Sequence, residues 1–297
     1  MTVSDAYDFS MERRLNQLDP ILHRRFTSSV FALQHILSNY KLLFPQFTDH
    51  TELHTLNVID FSNRLIGDQI ERMNADEIYT LLMGAYLHDT GMGITEQDYE
   101  EFSRHIDFGD YFETHPNDDR PAIIRDFHNE FSGLFIRKYR ALFDFPSDAH
   151  MFAVIQTARG HRKTDMNDLK EYPVACPLEN GNTICLPYLS ALIRLADEID
   201  ITAARNPVLL YDMEAITGER DIFFFTLHKA VKDLLVKDTE FIVEADASVP
   251  AIREGLEDLR NKMQKTLDVC REAVNERTPY RITQETVRIS YLPQNQN

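Results

Sequence analysis

Four histidines and two aspartates recur along this chain at the spacing expected of ligands gathered from successive helices. They occur in five short segments roughly 33 to 40 residues apart, which is about one helix and its connection. Imidazole nitrogens and carboxylate oxygens together bind borderline and hard divalent cations. No long Gly-rich phosphate loop and no Ser/His/Asp pattern competes with this set. The residues are His54 in HTLNV, His88 and Asp89 in YLHDTG, His128 in FHNEFSG, His161 in ARGHRK, and Asp197 in LADEID.

The adjacent residues His88 and Asp89 indicate how such a site is arranged. Side chains one position apart on a helix point about 100° apart, so both reach one site only at a helix end or where the site spans two metals. In the second arrangement, Asp89 is the natural bridging ligand. The ligands then divide into His54, His88 and Asp197 for one metal and His128 and His161 for the other.

The spacing of apolar residues predicts the helices that must position these side chains. His54 falls in the first turn of a helix that follows a capping Asp49. His88 and Asp89 fall in the last turn of a helix over 75–89, which Gly91 and Gly93 stop. Further helices are predicted over 19–44, 120–143, 149–158 and 187–204.

Two of the connections are long. Residues 94–120 are acidic and rich in turn formers, and we interpret them as an excursion with short helical pieces. This excursion forms either a lid over the site or a solvated insertion. Residues 164–186 contain Pro, Asn and Gly and are predicted to be a loop.

The pattern changes after residue 206. Segments 229–236 and 239–247 are predicted as strands, 248–276 as a long amphipathic helix and 286–292 as a last strand. The sequence therefore predicts a mainly α protein, with a helical domain over 1–206 and a small α+β appendage over 207–297. The long helix either packs on the three strands or forms the seam of a homodimer.

Composition limits the classes of partner. The net charge of −17 argues against affinity for double-stranded nucleic acid or an anionic membrane surface. The polar, acidic first residues and the absence of an apolar run long enough to span a bilayer predict a cytoplasmic protein. The three cysteines are expected to be free thiols, the alternative being a pair between Cys176 and Cys185, which flank a loop.

The order H…HD…H…H…D resembles the HD superfamily of metal-dependent phosphohydrolases over about residues 20–206. HTLNV resembles the first-histidine helix of that family, YLHDTGMG its signature pair, HNEFSG and GHR the two extra histidines of dinuclear members, and LADEID its last aspartate helix. The resemblance implies an HD-type helical bundle, one or two divalent ions, and hydrolysis of phosphate esters, often of nucleotides. RKTDMNDL stands where the cyclic-dinucleotide branch carries Gly-Tyr-Pro, which argues against that substrate.

The sequence thus predicts a phosphohydrolase that cleaves a phosphomonoester or phosphodiester of a small phosphorylated substrate, such as a nucleotide, with metal-activated water. Mn, Mg, Fe, Ni or Zn would suit the donors equally. The candidate catalytic residues are Asp89 and the phosphate-gripping pair Arg162 and Lys163. Arg194 and Asp200 flank Asp197 and are interpreted as orienting partners rather than ligands. The alternative is a nucleotide- or metal-binding sensor or regulatory module with little catalysis.

Overall fold

The computed structural model describes residues 9–37, 52–201, 219–247 and 249–292. Over these residues the protein is mainly α-helical, as predicted, with two small sheets. None of the helices described is long and apolar enough to cross a membrane.

Among the residues that the structure describes, nine α-helices form the body of the protein. The predicted helices are confirmed with shifted ends, and the predicted parts at 38–44 and 49–51 lie outside the described residues. The bounds are α1 Ser10–Leu18, α2 Pro20–Leu37, α3 Glu52–Ile66, α4 Ala75–Leu87, α5 Glu96–Phe102, α6 Tyr111–Thr114, α7 Arg120–Lys138, α8 Asp148–Arg159 and α9 Leu186–Ile199.

Side-chain caps fix where three of these helices begin. Asn74 and Glu77 form a reciprocal capping box at the start of α4. Asp119 accepts a hydrogen bond from a backbone N–H in the first turn of α7, and Ser147 does the same for α8.

Helix α4 lies at the centre of the body. Every residue from Asp76 to Leu87 is buried, and the helix packs against α1, α2, α3, α8 and α9. Beyond its first turn the helix is almost entirely apolar, as a helix surrounded by neighbours needs to be. The chain that follows α4 therefore emerges into the interior of the protein.

The C-terminal part contains a three-stranded sheet and a long helix. A small hairpin with strands of two residues each, β1 Cys176–Pro177 and β2 Thr183–Ile184, precedes α9. The C-terminal elements are α10 Glu219–Ala230, β3 Val231–Val236, β4 Glu240–Ala245, α11 Pro250–Asn275 and β5 Thr286–Tyr291. The sheet order is β3-β4-β5, with β3 antiparallel and β5 parallel to β4. Parallel neighbours need a crossover, and α11 supplies it. Helix α11 packs on both α9 and β5, so its apolar stripe faces the body as well as the strands.

The structure differs from the sequence prediction at several ends. Helix α9 ends at Ile199, not at residue 204, because Asp200 leaves helical geometry with ψ at 70°. The helix predicted to reach residue 143 ends at Lys138 and continues as a 3-10 turn. Helices α1 and α10 and the hairpin were not predicted. The proposed boundary at residue 206 lies outside the described residues and stays a prediction.

Candidate metal centre

Three helices end at one place in the protein. His88 and Asp89 follow the last residue of α4, His161 comes two residues after the end of α8, and Asp197 lies in the last turn of α9. The C-terminus of a helix carries partial negative charge from its free carbonyl groups. Three such ends, together with two carboxylates, make this region favourable for a cation.

One group of candidate ligand atoms gathers around His54. Its Nε2 lies 3.2 Å from Nε2 of His88, 3.4 Å from Oδ2 of Asp89 and 3.3 Å from Oδ1 of Asp197. Nε2 of His88 lies 3.2 Å from the same Asp89 oxygen. The Asp197 side chain is 23% exposed, whereas the other three side chains are buried. The group is therefore open to solvent on the Asp197 side.

A second group faces the other oxygen of Asp89. Oδ1 lies 3.2 Å from Nε2 of His128 and 3.7 Å from Nε2 of His161, and these two nitrogens are 2.7 Å apart. All three side chains are buried. The two carboxylate oxygens of Asp89 thus point to two different sets of histidines.

These separations fit metal coordination. Ligand atoms about 2.1 Å from a common ion lie about 3.0–3.4 Å apart for angles between 90° and 109°. The contacts within the His54 group, at 3.2 to 3.4 Å, fall in that interval. The contacts of the second group, at 2.7 to 3.7 Å, lie on both sides of it. The buried His/Asp cluster can therefore bind a divalent metal.

The other ring nitrogen of three histidines contacts a carbonyl group of its own helix. Nδ1 lies 2.7 Å from the Ala85 oxygen in His88, 2.7 Å from the Arg125 oxygen in His128 and 2.6 Å from the Ala158 oxygen in His161. A carbonyl oxygen can only accept, so each Nδ1 carries the proton. Each Nε2 then presents its lone pair to the centre, as a metal ligand must.

His54 is oriented by a carboxylate instead. Its Nδ1 donates to Oδ2 of Asp200 at 2.7 Å, and Asn57 donates to the other oxygen at 3.0 Å. Asp200 is fully buried. Asp200 is therefore an orienting residue, as the sequence indicated, and the side chain that it orients is His54, because the end of α9 at Ile199 turns the Asp200 side chain toward α3.

The Nε2 lone pairs of neighbouring histidines face each other with no proton between them, an arrangement that a bound cation would stabilise. Two imidazoles that both carry their proton on Nδ1 cannot hydrogen bond through Nε2, so the close pairs His54–His88 and His128–His161 set lone pair against lone pair. Burial lowers the pKa of His161 well below its ordinary 6.5, and the neighbouring His128 and His88 lower it further. A neutral His161 is a competent metal ligand.

Two glycines allow the ligand-bearing segments to approach their neighbours. A Cβ on Gly91 would overlap the His128 carbonyl oxygen and lie 2.6 Å from the Ser132 nitrogen. The Ser132 hydroxyl accepts from the Gly91 N–H and donates to the His88 carbonyl, which fixes α7 against the His88–Asp89 turn. Gly91 has an ordinary backbone conformation, so close packing, not the predicted helix stop, explains the residue. Gly160 is packed in the same way against Ser190.

Arg194 contacts backbone on either side of His161. Its Nε donates to the Gly160 carbonyl at 2.7 Å, and an Nη atom donates to the Thr164 carbonyl at 2.9 Å. Because Arg194 is buried and bonded to backbone, it braces the turn that carries His161 and is not available for a substrate phosphate.

The pair Arg162 and Lys163 lies on that same turn. Arg162 is half-buried and Lys163 is exposed. Within the part of the chain that the structure describes, neither side-chain cation makes a hydrogen bond or ion pair. Lys262 of α11 is a nearby cation that was not predicted from the sequence. It pairs at 2.9 Å with Glu198, the residue next to Asp197.

His150 belongs to a separate buried network. Its Nε2 lies 2.8 Å from Asp76 and its Nδ1 lies 2.9 Å from the Ser147 hydroxyl. Asp76 also accepts from Asn180 and Asn182 of the hairpin. These residues lie at the starts of α4 and α8, the ends opposite the metal centre.

Comparison with known proteins agrees with this geometry. Neither the curated proteins nor the solved structures contain a match to the chain. The HD-CE family matches residues 44–280, a range that includes all six residues of the cluster and continues through α11. With that match over most of its length and a buried His/Asp cluster of the HD type, the chain belongs to the HD-CE family.

Proposed function

We propose that this protein is a metal-dependent phosphohydrolase with two metal positions, acting on a phosphomonoester or phosphodiester, with nucleotides as the leading substrate class. The observation that carries the proposal is the position of Asp89. Its Oδ2 faces His54 and His88, and its Oδ1 faces His128 and His161. A carboxylate shared in this way is suited to two ions that clamp the attacking and leaving oxygens of a phosphate.

The roles of the chain's own residues follow from their positions. His54, His88 and Asp197 would hold one ion and His128 and His161 the other, with Asp89 between them. Bound ions would supply Lewis acidity and lower the pKa of coordinated water. The fixed Nδ1–H groups keep the four rings from turning, so the ligand atoms need little reorganisation.

The substrate would enter on the Asp197 side, the partly exposed part of the cluster. Arg162 and Lys163 follow His161 directly. Neither cationic group makes a direct hydrogen bond or ion pair among the described residues, although Arg162 interacts at longer range with Glu198. Both can therefore reach an anionic ligand. A guanidinium suits two phosphate oxygens at once. In a chain of net charge −17, such a local cationic contact offsets long-range repulsion of a phosphorylated substrate.

The test is hydrolysis by protein reconstituted separately with Mn, Mg, Fe(II), Ni or Zn. The panel contains p-nitrophenyl phosphate, bis-p-nitrophenyl phosphate and nucleoside mono-, di- and triphosphates. The matched control is Asp89→Asn, which keeps the side-chain shape and removes the charge. Metal-dependent release of phosphate or nitrophenolate that Asp89→Asn abolishes would support the proposal.

The rival is a sensor module that binds metal and nucleotide without turnover. Its signature would be saturable nucleotide binding to the metal-loaded protein, with no product from any ester in the panel. That result would overturn the hydrolase proposal in favour of the sensor.

A further inference from the structure

The turn that carries His161 is held from outside the helical body. We call residues 160–167 the His161 turn. Arg277, just beyond the end of α11, donates from Nη1 to the Met166 carbonyl at 3.2 Å and to Oδ1 of Asn167 at 2.5 Å. Arg194 holds the beginning of the same turn. The turn is therefore fixed at both ends by arginines, one from α9 and one from the C-terminal part.

The position of Arg277 is itself fixed by the residues that follow it. Tyr280 donates to the buried Glu77 carboxylate at 2.7 Å and stacks on Tyr188 with the ring centroids 4.1 Å apart. Arg281 donates its backbone N–H to Gln69 at 2.8 Å. These contacts tie the segment after α11 to the starts of α4 and α9, so Arg277 projects from a rigid support.

The His161 turn in turn positions two functional groups. Arg162 and Lys163 follow His161 within it, and all three precede the Arg277 contact by only a few residues. Met166, whose carbonyl accepts from Arg277, has a fully buried side chain, which anchors the turn at that contact. A shift of the turn would thus move the His161 ring and the Arg162 guanidinium together.

We propose that Arg277 is a positioning residue of the metal centre, which holds the His161 turn so that the His128–His161 position keeps its affinity for an ion. This inference rests on the proposed two-metal site. It makes the C-terminal part, whose role the sequence left open, a component of the catalytic unit.

The alternative is that Arg277 only stabilises the fold. The two roles predict different binding behaviour. General destabilisation weakens both metal positions together, whereas displacement of the His161 turn weakens one, because the His54 group takes none of its ligands from that turn.

The experiment is calorimetric titration of the full-length, metal-free protein with Mn²⁺ alone. Two binding steps are expected, and His128→Ala identifies the step that belongs to the His128–His161 position. Arg277→Ala should weaken that step about tenfold, the lower end of the range for groups that orient metal ligands. The other step should stay unchanged.

Arg271→Ala is the matched control. Arg271 lies on α11, carries the same charge, is half-buried like Arg277 and pairs only with Glu285 of the C-terminal part among the described residues. Its removal should leave both steps unchanged. Asn167→Ala provides a second variant if Arg277→Ala does not fold, since Asn167 is exposed. It should weaken the same step, by less.

The outcomes separate the two proposals. If the wild-type protein shows two steps and neither Arg277→Ala nor Asn167→Ala changes them, the positioning role is overturned and the two-metal site stands. Equal weakening of both steps would overturn it in favour of a stabilising role. A single step, or none, in the wild-type protein would overturn both this inference and the two-metal site.

Discussion

Nδ1 of His54 lies 2.7 Å from Oδ2 of Asp200, which is 146 residues away in the chain. The two residues come from α3 and from the end of α9, and the contact is fully buried. A carboxylate behind a metal-binding imidazole fixes its tautomer and raises its basicity. This pair therefore links the position of the first histidine to the end of the last aspartate helix.

Asp200→Asn should weaken metal binding at the His54 position by about 10- to 100-fold, because the amide cannot stabilise the ring as a carboxylate does. Titration with Mn²⁺ measures the change. Asp60→Asn is the control, since Asp60 lies on the same helix as His54 but pairs with Arg64. Equal affinities for Asp200→Asn and the wild type would contradict the orienting role.

Substitution of Asp89 should remove more metal than substitution of any one histidine. We expect two ions per chain in the wild type, one in His128→Ala and none in Asp89→Ala, because Asp89 supplies a ligand oxygen to each group. Elemental analysis after dialysis gives these ratios, and the helical circular dichroism signal should persist. His105→Ala, at an exposed position, should retain both ions. An Asp89→Ala protein with full metal content and full activity would refute the site.

Arg162→Ala should cost about 1.5–3 kcal/mol in transition-state stabilisation, the scale of a hydrogen bond to a charged group. The measurement is kcat/KM on the best ester found in the panel. Metal content should not change. Arg194→Ala offers the contrast: because it braces the His161 turn, it should lower metal affinity. Unaltered kinetics in Arg162→Ala would make that residue ordinary surface charge.

The metal-free protein should lose stability as the pH falls. Burial, then His128 and His88, depress the pKa of His161 in the folded state, while Asp89 and Asp197 oppose this shift without reversing it. The unfolded chain therefore takes up the proton first, and the free energy of unfolding declines as the pH falls through about 6.5 toward the lower folded pKa. Urea titrations at several pH values measure the slope. His161→Gln should flatten it, and an unchanged slope would exclude His161 as the cause.

Two neighbouring glycines provide a test of packing. Gly91→Ala would push a methyl group into the backbone of α7 and should destabilise the protein by about 3 kcal/mol, the upper end for overpacked cores. Gly93→Ala has open space around the new methyl group and should be close to neutral. Thermal unfolding of both variants makes the comparison. Equal effects would show that the α7 contact is not tight.

The cluster was predictable because each ligand lies in a segment whose helical pattern is strong by itself. The convergence of His88, His161 and Asp197 follows from helix ends, which caps and periodicity mark locally. Helix α1 was missed because it buries only Met11 and Leu15, too few apolar residues to establish a period. The free-thiol prediction is confirmed for the three cysteines.

The contacts behind the ligands were not predictable. The Asp200–His54 and Arg277–Asn167 contacts join residues 146 and 110 positions apart, and no local pattern specifies such partners. The end of α9 was misplaced for the same reason. The cause is a buried hydrogen bond to another helix, whereas the sequence offers a helix breaker only at Asn206-Pro207.

The hydrogen bonds from His88 and His161 to carbonyls of their own helices determine which insertions and deletions the protein can tolerate. Each ring is set by the rotational phase of its helix, so one residue added or removed within α4 or α8 would turn the ligand by about 100° and carry it out of the site. The connections face no such restriction. Length variation within the family should therefore concentrate in segments such as 103–119 and spare the interiors of α4 and α8.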